Sequence, residues 1–144
     1  MPEKPSLATR IVVGKSIGLV IGLIGLIVIP RLWPDLGWMW RIGFLFWYTT
    51  VGAFVGLIGV MTRHPVTNLP MPWWFRSAFV GAWMNFVLTL LIYDALAEML
   101  IDLLGPDSAF LSPFWFVAEG ALVGLLMGFF ATRFGGEGPA TVDT

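Results

Sequence analysis

The chain reads as an all-α membrane protein, a four-transmembrane-helix bundle built as two tandem two-helix hairpins in a parallel repeat. Three features carry that expectation: four apolar runs of spanning length, a composition that water does not accommodate, and internal self-similarity. The runs cover residues 11–29, 42–61, 78–97 and 114–131. Each has about the 20 residues that an α-helix needs to cross some 30 Å of hydrocarbon. Helices are the reading that satisfies the backbone in lipid, because the alternating pattern of barrel strands is absent.

Composition points the same way. Apolar residues are 58% of the 144 and charged residues 12%, against about 45–50% and about 25% in soluble domains. A short chain buries only about two thirds of its unfolded surface, so this much apolar surface needs lipid outside it. Residues 11–134 are expected to form one membrane domain, preceded by a short N-terminal segment, 1–10, and followed by a flexible tail, 135–144.

The first run carries Lys15 and stops at Pro30. It is longer than a signal-peptide core and no A-x-A site follows, so it is expected to stay as an anchor. The second run holds no charge. The third contains Asn85, Thr89 and Asp94, and the fourth contains Glu119. Pro65, Pro70 and Pro72 make the middle connection non-helical.

Basic residues set the orientation. Lys4, Arg10, Lys15, Arg63, Arg76 and Arg133 fall on the side of the termini and middle loop, against Arg31 and Arg41 on the other. The positive-inside rule then places both termini in the cytoplasm, in a cell membrane of the bacterial inner-membrane type. Trp33, Trp38 and Trp40 mark one interface; Trp73, Trp74 and Phe75 mark the opposite one.

The self-similarity lies at an offset of 68 residues. Phe46, Trp47, Gly52, Ala53, Val55, Gly56 and Leu57 recur as Phe114, Trp115, Gly120, Ala121, Val123, Gly124 and Leu125. At an offset of 67, Gly14, Gly18 and Gly22 fall on Gly81, Asn85 and Thr89. Two copies of one hairpin, both starting on the same side, would produce this match.

Small residues four apart share one helix face and let backbones approach closely. Gly14, Gly18 and Gly22 form such a face on the first helix, Gly52 and Gly56 on the second, Gly81 with Asn85 on the third, and Gly120, Gly124 and Gly128 on the fourth. These are the helix-packing residues expected from the sequence. They pack the bundle internally or join it to a second copy or a larger membrane complex.

Function is carried by less. There is no cysteine and one histidine, His64, and neither a zinc spacing nor a phosphate-binding glycine loop is present. No catalytic, cofactor-binding or metal-ligating residue is assigned, and no enzyme activity is expected. A net charge of −1 without a basic patch speaks against nucleic acid and leaves lipid as the evident partner. Asp94, Glu98 and Asp102, at i, i+4 and i+8, read as a solvated helix end. Glu119 stands out, because an acid within the hydrocarbon costs about 3 kcal/mol or more unless it is partnered. Arg41, at a comparable depth, is its expected ion-pair partner, with Asp94 nearby.

Two function classes remain. One is a non-catalytic accessory subunit or self-associating bundle acting through its glycine-rich faces. The other is a small transporter or channel using Glu119 and Asp94.

Overall fold

The computed structural model describes residues 4–142. Five α-helices account for most of them: α1 (Leu7–Leu32), α2 (Trp38–Ile58), α3 (Trp73–Leu91), α4 (Tyr93–Leu104) and α5 (Trp115–Gly135), followed by a short 3-10 turn at Pro139–Thr141. α1, α2, α3 and α5 are long and apolar enough to cross a membrane. The surface of the bundle is as apolar as its interior. Val20, Ile24, Leu122 and Phe129 lie on the surface, while Ser77, Asn85 and Thr89 are buried. Such a surface suits lipid, and the chain is a multi-pass membrane protein by that measure.

Most helix ends extend past the expected limits, for local reasons. α1 begins at an N-cap, Ser6, whose hydroxyl accepts from the Thr9 N–H at 3.3 Å, and it carries Pro30 inside its last turn before ending at Leu32. The one lost backbone bond is tolerable there because only two residues of the helix follow it. α2 ends at Ile58, short of the expected Met61, and Gly59 to Met61 continue as turns.

The third apolar run departs most from expectation. It was expected to continue to residue 97, but the helix breaks at Ile92 (φ −125°, ψ 29°) and α4 begins afresh. α4 is amphipathic: Leu96 and Met99 are buried, while Asp94, Glu98 and Asp102 are exposed on the other side. Three acids on one face cannot continue into hydrocarbon, so the chain turns aside to keep them in water. The Trp33 indole donates to the Met99 carbonyl at 3.2 Å, tying α4 to the α1–α2 connection. Gly105 then ends α4 at φ 81°, a conformation that favours glycine.

α1 packs chiefly on α2, and α3 chiefly on α5. A methyl group on Gly14 would strike the Gly52 carbonyl, and one on Gly52 the Gly14 carbonyl. Gly18 lies against the Tyr48 carbonyl, Gly22 against the Leu45 backbone, and Gly56 against the backbone of Arg10 and Ile11. The second pair repeats the arrangement. Gly81 and Gly120 face each other's carbonyls, Gly124 meets the Ser77 carbonyl, and Gly128 meets the Ser77 side chain. All nine expected packing glycines are thus spent on contacts within this chain, and none is left outside for a partner.

Between the two helix pairs lies a dry core of Val51, Val55 and Met127, packed against Ile17, Ile21, Trp47, Val80, Met84 and Val123. The end of the bundle that holds both termini is closed by the segment expected to be a flexible tail. The Ser6 N–H donates to the Gly135 carbonyl at 2.9 Å, and the Gly138 N–H to the Gly59 carbonyl at 2.8 Å. Thr141 is buried. Residues 135–142 are therefore a strap across this terminal end. They are held because the carbonyls ending α2 and α5 need donors that a free tail would leave to water. Residues 143–144, and 1–3 of the N-terminal segment, lie outside the described residues.

Candidate functional site

Within the spans, Tyr48, Asn85 and Glu119 converge in the half of the bundle distal to the termini. Glu119 is the fifth residue of α5, about 6 Å along the axis from its start. Its Oε2 accepts from the Tyr48 hydroxyl of α2 at 2.8 Å and from the Asn85 side-chain amide of α3 at 2.7 Å. The same Asn85 amide group also donates to the Phe116 carbonyl at 2.9 Å. Its Oδ1 accepts from the Trp47 indole at 2.9 Å. Asn85 is 1% exposed and Tyr48 6%. One carboxylate and one amide thus link three helices.

The local sequence explains the placement. Asn85 occupies the register of the α3 small-residue face that Gly18 occupies on α1, so it points at the closest helix crossing. Thr89, one turn on, bonds back to the Asn85 carbonyl at 2.7 Å and presents no polar group to α5. Tyr48 is on the α2 face that Gly18 touches. A hydroxyl and a carboxamide can satisfy a carboxyl group without a second charge, and each interhelical bond contributes about 0.6 kcal/mol, up to about 1.7.

The expected Glu119–Arg41 pair is not formed. The Arg41 guanidinium sits over the Trp38 ring, 5.2 Å from its centroid, with its buried Nε unpartnered. Among the described residues the one ion pair is Arg76–Glu137, at the opposite end. Arg41 stays on the aromatic rim of α2, where cation–π attraction holds it, and Glu119 is already supplied by two neutral donors. Asp94 is exposed at the start of α4 and takes no part.

A second polar cluster escaped the sequence reading. Arg10 and Arg76 are 1% and 2% exposed. Arg10 Nε donates to the Gly56 carbonyl at 2.9 Å, and its Nη1 to Thr132 Oγ1 at 3.2 Å and to the Gly136 carbonyl. Arg76 Nη1 donates to the Met61 carbonyl at 2.6 Å, and its Nη2 pairs with Glu137 of the strap. Arg10 therefore serves carbonyls at the ends of α2 and α5, and Arg76 one beyond the end of α2, where positive charge is favoured. A signal for Arg10 was present: it continues the Gly14, Gly18, Gly22 spacing by one turn.

His64 serves its own loop, where its Nδ1 accepts from the Val66 and Thr67 N–H groups, each at 3.2 Å. Among the described residues, no group of three His, Cys, Asp or Glu is placed to hold a metal ion. Comparison with protein-family models, curated proteins and solved structures finds no match to this chain.

Proposed function

We propose that this is a small, non-catalytic, multi-pass membrane protein of the bacterial inner membrane, with both termini cytoplasmic, acting as an accessory subunit or self-associating bundle. The observation that carries this reading is how the interior is used. The glycine faces seat helix on helix, the Glu119 cluster clasps α2 to α3 and α5, and Val51, Val55 and Met127 fill the space between that cluster and Arg10. A transport path would ask for polar groups through the whole depth, and this dry core speaks against one.

We also infer that the two helix pairs are a tandem repeat. Gly14 against Gly52 and Gly81 against Gly120 are equivalent contacts at the two sequence offsets. They support two copies of one hairpin that diverged at Gly18/Asn85 and Val51/Glu119.

With its glycines spent inside, the protein would meet a partner through other residues. α3 offers a lipid-side ladder of neighbouring aromatic rings, Phe75, Phe79, Trp83 and Phe86, continued by Phe114. The test joins two readouts on purified protein. Native mass in mild detergent should show a defined oligomer or a co-purifying membrane protein, lost when Phe79 and Trp83 are both replaced by Leu. Liposomes should show no proton or alkali-cation flux above protein-free controls. A flux that Glu119→Gln abolishes would replace this reading with transport.

A further inference from the structure

We propose that the distal end of the bundle carries a binding site for a cationic amphiphile, a single apolar tail bearing an ammonium head. An apolar groove of about 350 Å³ runs between α2 and the α3–α4 junction, walled by Trp40, Phe44, Trp47, Leu88 and Ile92, with Gly43 in its lining. Trp40 also walls a second cavity of about 380 Å³, in which Asp35 of the α1–α2 connection faces Glu98 and Asp102 of α4, beside Trp33. Apolar groove and acidic pocket therefore share a wall.

Gly43 is the residue that marks the groove as kept open. Gly52 and Gly56 of the same helix lie against backbone, whereas a Cβ on Gly43 would meet nothing within 4 Å. A glycine inside a helix weakens it, and no packing within this chain asks for one at 43. What the missing side chain does is leave room in the groove. From Met39 to Trp47 the groove follows α2 for about 12 Å of helical rise, a length that suits part of one alkyl chain rather than a partner helix.

Charge selects the head. Asp35, Asp94, Glu98, Asp102 and Asp107 belong to this end, against Arg31 and Arg41, and Arg41 is engaged with Trp38. An ammonium group among three carboxylates and two indoles gains Coulomb attraction and cation–π contact. An anionic head would be repelled, and a sugar head would gain neither. The break at Ile92 positions the pocket, because it turns the acids of α4 back over the α1–α2 connection.

The test is a titration of the protein in nanodiscs with three amphiphiles of one tail: dodecyltrimethylammonium, dodecyl maltoside and dodecanoate. Saturable binding of the first is expected, at least tenfold tighter than of the other two. Gly43→Leu should weaken it tenfold or more. The double variant Glu98→Gln, Asp102→Asn changes exposed positions, so it should fold normally and lose the preference for the cation while retaining the tail. Equal affinity for the three heads, partition without saturation, or a double variant with unchanged preference would overturn the proposal.

Discussion

The two principal helix pairs solve the same packing problem with different chemistry. α1 on α2 is a dry contact, with glycine at 14, 18 and 22 pressing on the backbone at 52, 48 and 45. α3 on α5 keeps the glycine crossing at 81 and 120 but carries Asn85 where α1 has Gly18. Gly18 faces the Tyr48 carbonyl by bare contact; Asn85 meets the equivalent Phe116 carbonyl with a hydrogen bond of 2.9 Å. Asn85 then does what a glycine cannot, reaching Glu119 on one side and Trp47 on the other. Close packing holds each hairpin together, and polar bonds reinforce the thinner contact between the hairpins, through Glu119 and Asn85 with Tyr48 and Trp47 at one end and through Arg10 with Thr132 at the other.

The largest expected effect attacks what the pairs share. Gly18→Leu and Gly124→Leu each drive a side chain into a neighbouring backbone carbonyl that has nowhere to go. Neither variant should give a monodisperse, cooperatively melting protein after extraction, as size-exclusion and thermal melts would show. Parent-like behaviour would mean that the hairpins are not seated through these faces.

The next effect separates the terminal end from the helix pairs. Arg10→Met removes buried bonds to Gly56, Thr132 and Gly136 and should cost about 3 kcal/mol in mixed-micelle unfolding. Glu137→Gln should cost less, about 1 kcal/mol, because the Glu137 side chain is 40% exposed. Its clearer sign should be faster amide exchange at Gly138, whose N–H bonds to the Gly59 carbonyl. The smallest effect has the opposite sign. Gly43→Ala enters open space, so it should stabilise α2 by about 0.5–1 kcal/mol.

Much of this architecture was legible in the sequence, for a physical reason. Lipid demands long unbroken apolar helices, and close crossings demand small residues four apart, so spans and packing faces leave strong periodic marks. The break at Ile92 left none, since an isoleucine there is no helix breaker; only the acids at i, i+4 and i+8 hinted that the next turns belong in water. Glu119 was legible as a residue needing a partner, but its partner was not. An ion pair with Arg41 follows from charge alone, whereas a tyrosine and an asparagine satisfied it through tertiary placement. The strap was illegible because Gly135 to Val142 has the composition of a loose end, and what holds it is the demand of α2 and α5 for carbonyl partners.

Glu119 joins the two hairpins as a hydrogen-bond acceptor. The unfolding free energies of Glu119→Gln and Glu119→Leu in mixed micelles test this role. A glutamine carbonyl can still accept from Tyr48 and Asn85, so Glu119→Gln should remain within about 0.5 kcal/mol of the parent. A leucine leaves the Tyr48 hydroxyl without its acceptor and Asn85 without one of its two, and should cost about 2 kcal/mol. Gln and Leu variants that unfold alike, whether both match the parent or both collapse, would rule out a hydrogen-bonding role for Glu119.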